Sequence, residues 1–201
     1  MPGVSDDNEV IRRSADEPAV FGVLFDRHAT SIHRYAARRL GQQAADDVMA
    51  ETFLVAFERR AAFDVGVADA RPWLFGIATT LMKQRARLEA KAWKGMVAAL
   101  AAEITPDALE RSDEQIDAER MSRRLASALR ALHARDRDAL LLYAWGDLDY
   151  EGVAAALGIP VGTVRSRLNR ARRRLRGAVG ADPTSDLERD HGRVDAAAQR
   201  A

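Results

Sequence analysis

The chain has 201 residues, 47% of them apolar and 30% charged, with 31 basic against 30 acidic side chains. That length holds one domain or two small ones. There is no cysteine, which excludes disulfides, thiol catalysis and cysteine-ligated zinc, and no apolar run of about 18 residues, the length a membrane span needs.

The start of the chain, MPGVSDDNEV, is acidic and lacks the apolar core of a signal peptide, so a cytoplasmic protein is expected. Residues 1–17 read as an acidic tail, with Asp6, Asp7, Glu9, Asp16 and Glu17 against Arg12 and Arg13. A first helix then carries Phe21, Leu24, Phe25, Ile32, Tyr35 and Leu40 at helical spacing and stops at Gly41, a suitable C-cap. A second helix, over about 45–61, aligns Met49, Phe53 and Phe57 as a core row. A second row on the same helix, Asp47, Glu51, Leu54 and Glu58, is acidic with one leucine. A third helix starts at Pro72, which a first turn tolerates. Its expected core row is Trp73, Ile77 and Leu81, with Leu74 and Ala78 beside it, and its other side carries Thr80, Lys83 and Arg87.

These helices make a first unit over 18–92. Residues 93–120 follow as a linker, which turns acidic from residue 95 on and contains a Thr-Pro-Asp turn at 105–107. A second unit spans 121–177 in four helical segments. Leu125, Leu129 and Leu132 face inward on the first, and Ala139 to Tyr143 is an apolar run in the second. The third opens at Asp149, a good N-cap, and buries Val153, Ala154 and Leu157. After the break Gly158-Ile159-Pro160, the last buries Val161, Val164, Leu168, Ala171 and Leu175. A short helix, a tight glycine turn and a longer helix is the helix-turn-helix pattern. Residues 178–201 lack periodicity and read as a disordered tail. No segment alternates as a strand does, so the expected fold is all-α: two small helical domains joined by an acidic flexible linker, the second a helix-turn-helix domain.

The last helix poses the functional question. Its stretch VGTVRSRLNRARRRLR holds seven arginines and no acid in a chain of net charge +1. The apolar row leaves Thr163, Arg165, Ser166, Asn169, Arg170 and Arg173 on the outer face or its edges. Arginine forks match guanine edges in a major groove, Ser and Asn reach other base edges, and the remaining arginines, Arg167 among them, suit phosphates. Thr163 and the first-turn N–H groups suit a phosphate as well. A merely solvated face would repel itself. A membrane-surface helix would need its apolar row, which the domain's own core uses, and a large aromatic to insert. DNA is the favoured partner.

The segment LLLYAWGDLDYEGVAAALGIPVGTVRSRLNRARRRLR resembles the promoter-binding domain of sigma factors of the extracytoplasmic-function (ECF) type, in the sigma-70 family. DDVMAETFLVAF and RPWLFGIATTL resemble the N-terminal domain of the same proteins. The resemblance implies a protein that binds core RNA polymerase, at the β′ clamp and the β flap, and directs it to promoter DNA without a cofactor or metal. The row Asp47, Glu51, Leu54 and Glu58 would dock on the clamp. The third helix, with Thr80, Lys83, Gln84, Arg85 and Arg87, would capture the minus-ten element as an unpaired strand. Thr163, Arg165, Ser166, Arg167, Asn169, Arg170 and Arg173 would read the more distant minus-thirty-five element as duplex. An anti-sigma protein is an allowed further partner, and membrane insertion is not implied. The chain departs from the family pattern at Thr80 and Gln84, where asparagine and aspartate are common, and at His133, often proline. The 28 residues from Trp93 to Arg120 reach roughly 90–100 Å when extended. That exceeds the roughly 70 Å between elements two duplex turns apart, and the linker's negative charge suits a basic polymerase channel.

The alternative is a helix-turn-helix regulator that acts without polymerase; it would not require the acidic row. An enzyme would need a convergent nucleophile and base, or metal ligands. The sequence offers no glycine-rich phosphate loop and no histidine pair at ligand spacing, so no enzyme is expected.

Overall fold

The computed structural model describes residues 6–97 and 124–179, with the backbone alone over 87–97 and at 179. The expected linker and tail therefore lie largely outside the described residues. The described residues form helices and no strand: α1 Asp7–Arg13, α2 Gly22–Leu40, α3 Gln42–Glu58, α4 Arg71–Val97, α5 over 124–131, α6 Ala134–Trp145, α7 Tyr150–Leu157 and α8 Val161–Val179. Single 3-10 turns stand at Pro18–Phe21 and Arg60–Ala62. None of the described helices is long and apolar enough to cross a membrane. The described residues up to Val97 form one compact unit with Asp138–Arg167; those from 124 to Arg137 belong to a second with Leu168–Val179.

In the first unit α2, α3 and α4 pack through Leu24, Ile32, Tyr35 and Ala36, through Ala45, Val48, Phe53 and Ala56, and through Leu74, Phe75, Ala78, Leu81 and Met82, all buried. Each large side chain among these contributes about 1.5–3 kcal/mol on leaving water. Gly41, at φ +87, ends α2 and lets α3 start at the next residue. Aromatic edges lock the layers, with Phe21 on Phe57 at 5.3 Å and Tyr35 on Phe75 at 5.1 Å between ring centroids.

Several expected faces are corrected. Phe25 is 41% exposed, although its ring meets Phe53 edge-on at 5.0 Å. On α4 the buried residues are Leu74, Phe75, Ala78, Leu81 and Met82, whereas Trp73 and Ile77 are only half-buried. Trp73 lies at the margin, against Phe63 at 5.1 Å. The core thus takes a broader, rotated stripe of α4, because neighbours cover this helix on more than one side. Leu125 is 38% exposed on α5, and of the expected leucine row only Leu132, just past the end of that helix, is buried. Helix α3 starts at Gln42 and stops at Glu58, earlier than periodicity implied at both ends.

Within the stretch read as an acidic tail, α1 is docked. Val10, Ile11 and Ser14 are buried, and so is Asp7. The Asp7 carboxylate accepts hydrogen bonds from Arg27 Nη1 at 2.9 Å and from the backbone N–H of Ala70 at 3.1 Å, and its other contact is His28 Nε2 at 2.7 Å. Burial pushes this carboxyl up, but His28, the Ala70 N–H and Arg27 together outweigh it and hold the pKa at about 2. Asn8 Nδ2 donates to the Val65 carbonyl at 3.1 Å, so α1 grips the loop before α4 near both its ends.

Local chemistry sets the helix-turn-helix. The Asp149 carboxylate accepts from the Gly152 N–H at 2.7 Å, capping α7 as expected. Gly158 ends α7 at φ 62, ψ 43, the left-handed conformation that glycine adopts without strain. Val164, Leu168 and Ala171 of α8 are buried as the periodicity required, while Val161 and Leu175 are half-buried. Helices α4 and α7 approach closely at Gly76, where an added Cβ would stand 2.7 Å from the Ala156 carbonyl oxygen.

Candidate nucleic-acid and polymerase interfaces

On α8 the apolar residues face inward, which leaves Arg165, Ser166, Asn169, Arg170 and Arg173 exposed, with Arg167 and Thr163 half-buried. Ser166 Oγ donates back to the Gly162 carbonyl at 3.0 Å, a bond that leaves its oxygen able to accept. The Thr163 N–H is committed to the Pro160 carbonyl at 2.9 Å, so it is not one of the donors that end of α8 can offer a phosphate. Among the described residues no acid pairs with Arg165, Arg167 or Arg173. Arg170 differs: its Nε and Nη2 reach the Asp136 carboxylate at 3.1 and 2.9 Å, a two-pronged pair with a buried acid.

Helix α3 turns Val48, Thr52, Phe53 and Ala56 into the core. Asp47, Leu54 and Glu58 are left exposed and Glu51 half-exposed, with Leu54 at 57%. An apolar side chain this open between carboxylates suits a partner that brings both cations and an apolar contact.

On α4, Thr80 and Gln84 are exposed, and Thr80 Oγ1 donates to the Gly76 carbonyl at 2.9 Å. Two of the expected strand-binding cations are engaged within the protein. Arg85 spans Asp47 and Glu51 at 3.2 Å each, linking the acidic row of α3 to α4. Lys83 Nζ stands 2.9 Å from Asp138 Oδ2. The Arg87 side chain lies outside the described ones.

Sequence reasoning missed the cluster around Asp138. This acid is 2% exposed on α6, and its Oδ1 accepts from Arg39 Nη2 at 2.8 Å. Arg39 Nη1 donates to the Tyr35 hydroxyl at 2.8 Å, and that hydroxyl contacts Thr79 Oγ1 at 3.1 Å. Burial pushes the Tyr35 phenol up, keeping it a neutral partner. Nearby, the Arg38 guanidinium lies 5.7 Å from the Trp145 ring centre. An acid inside the polar-apolar alternation of ARDRDALLLY gives no local sign that it points inward.

The fold and these surfaces define a helical protein with a basic face on α8 and an acidic face on α3. Comparison with known proteins finds two family matches along it. The Sigma-70 region 2 family matches residues 24–92, and the Sigma-70 region 4 family matches residues 122–175. The ECF RNA polymerase sigma factor SigL of Mycobacterium tuberculosis is 31% identical over 164 residues, covering 81% of this chain and 90% of its own. SigE of Mycolicibacterium smegmatis is 33% identical over 161 residues, covering 76% of this chain and 59% of its own. Among solved structures, CnrH in complex with the cytosolic domain of CnrY superposes with a TM-score of 0.61 at 25% identity, over 88% of this chain and 98% of that one. The sigma factor RpoE of Bartonella quintana, in complex with the anti-sigma factor NepR, shares the fold with a TM-score of 0.58 at 24% identity, over 81% and 98%.

The chain belongs to the ECF group of the sigma-70 family of RNA polymerase sigma factors. It directs polymerase in promoter recognition and is a non-catalytic subunit. The regulator that acts without polymerase is thereby set aside.

Proposed function

We propose that the three surfaces divide the work of initiation. Asp47, Glu51, Leu54 and Glu58 of α3 dock on the clamp of the β′ subunit, with Leu54 as the apolar contact inside a ring of acids. Helix α4 presents Thr80, Lys83, Gln84, Arg85 and Arg87 to the minus-ten element once it is unpaired. Helix α8 enters the major groove of the minus-thirty-five element. There Arg165, Ser166 and Asn169 meet base edges, and Arg167, Arg173 and the half-engaged Arg170 steady the phosphates. The domain carrying α8 rests on the β flap. The site of action is the cytoplasm, where polymerase and promoters are.

The observation that carries this reading is the exposed, acid-free face of α8, together with the exposed Leu54 among carboxylates on α3. CnrH and RpoE each form a complex with a named partner, CnrY and NepR. By that likeness we propose an anti-sigma protein as a further partner. The deciding experiment mixes the purified chain with core polymerase free of other sigma factors, followed by run-off transcription and sequencing of the start sites. Specific starts sharing two spaced elements are expected; absence of association with core polymerase would overturn the reading.

A further inference from the structure

Asp138 occupies a position on α6 where its neighbours Ala139, Leu140, Leu141 and Leu142 are all buried apolar residues. A buried carboxylate persists only where cations and hydrogen bonds meet it. Here Arg39 Nη2 meets one oxygen at 2.8 Å and Lys83 Nζ the other at 2.9 Å. The Arg39 side chain is itself only 11% exposed, and its second amino group is fixed by the Tyr35 hydroxyl, which in turn contacts Thr79. The cation is therefore held in place by groups of α2 and α4, independently of what it binds. Two positioned cations converging on a pair of oxygens make an anion slot, and a phosphodiester presents the same pair of oxygens as a carboxylate. Lys83 is the partly exposed member of this cluster, with a side chain 41% exposed, and it lies on α4 between Thr80 and Gln84, both exposed.

We propose that Arg39 and Lys83 form a binding slot for one backbone phosphate of the unpaired promoter strand, and that Asp138 is an internal occupant which the strand displaces. The proposal rests on the reading of α4 as the strand-capturing helix, and it adds Arg39 to the residues that do so. It also gives Asp138 a task in the free protein. Arg39 and Lys83 lie in the span matched by region 2 and Asp138 in that matched by region 4. Filling the slot from within holds α6 against α4 and keeps the strand site closed until a competing anion arrives.

The test uses the full-length chain and a fluorescently labelled oligothymidylate, since a phosphate slot does not read bases. Binding is followed by anisotropy across a salt series. Asp138→Asn should bind several-fold more tightly at low salt than the wild type. Its slope of log affinity against log salt should match that of the wild type, because the same phosphate fills the slot in both complexes. Adding Lys83→Ala to that variant should remove the gain and make the slope shallower by about 0.7, the value of one phosphate on a single strand. In the wild type, amide exchange over 134–145 should accelerate when the strand binds, because Asp138 is displaced. An Asp138→Asn chain with unchanged affinity overturns the proposal, as does a slope that Lys83→Ala leaves unaltered in that variant. If that variant does not fold, wild-type exchange decides, and protection that stays level or rises with the strand bound overturns it. A photoreactive residue at position 84 in the holoenzyme tests the underlying reading separately. Absence of crosslinks to the opened strand removes the role of α4, whereas crosslinks alongside unchanged affinity of Asp138→Asn remove only the slot.

Discussion

Arg165 and Arg170 share α8 but not their surroundings. Arg165 is exposed and without an acidic partner among the described residues, whereas Arg170 grips the buried Asp136. Arg165→Ala should cost about 1–3 kcal/mol in promoter binding and relax base preference at one position, with no change in melting temperature. Arg170→Ala should lower the melting temperature as well, because its two-pronged pair with the buried Asp136 is lost. Titrations against base-substituted duplexes, with calorimetry on each variant, check both. Asp7 carries a pH signature. Its folded pKa of about 2 lies below the usual 3.8, so its contribution is full above pH 3.8 and is lost as pH falls through about 2. Asp7→Asn should therefore cost about 2 kcal/mol at neutral pH, and the gap to the wild type should close in denaturation curves taken near pH 2. The outward face of Arg165 was legible in the sequence, but none of the acid pairings was. Asp7, Asp136 and Asp138 sit in charged runs that look solvated. Their partners lie far along the chain, 20 residues away for Arg27, 34 for Arg170 and 99 for Arg39. Local pattern reports only what a residue and its near neighbours do.

At the scale of elements the sequence did better, because caps and turns are local chemistry. Asp149 at the head of α7 and Gly158 at its end were readable from residue type and spacing, and both stand where expected. Asp149→Ala should destabilise the protein by about 1 kcal/mol in chemical denaturation. Periodicity served α8 well, where one face is covered, and less well α4. There Phe75 and Met82 are buried beside Leu74, Ala78 and Leu81, and a stripe this wide has no single row to detect. For α3 the acidic row was visible, but its tie to Arg85 was not. Because Glu51 is half committed to that pair, the cleaner probe of docking is Leu54→Ala combined with Glu58→Lys, both exposed positions. This double variant should weaken association with core polymerase in co-elution experiments while leaving promoter-duplex binding by the free chain unaltered. Loss of both activities together would count against separate surfaces.

For the whole molecule, Gly76 sets how near α4 and α7 come. Alanine is the better helix former by about 1 kcal/mol, yet its Cβ would meet the Ala156 carbonyl oxygen at 2.7 Å. Gly76→Ala should therefore lower the calorimetric melting temperature; a rise would mean that the backbones yield at little cost. The helical class and the family were legible from the two sets of motifs. The close approach of α4 to α7 and the Asp138 cluster were not, since each depends on residues brought together only by the complete fold.

The docking of α1 bears on how relatives are compared. The region 2 match starts at residue 24, yet Asp7 and Asn8 hold the loop that feeds into α4. A hasp outside the shared span thus fixes the presentation of a shared helix. Promoter preferences exchanged between relatives by swapping only the common segments would carry the helix without its fastening, and differences credited to the swapped residues would partly belong to the leader left behind.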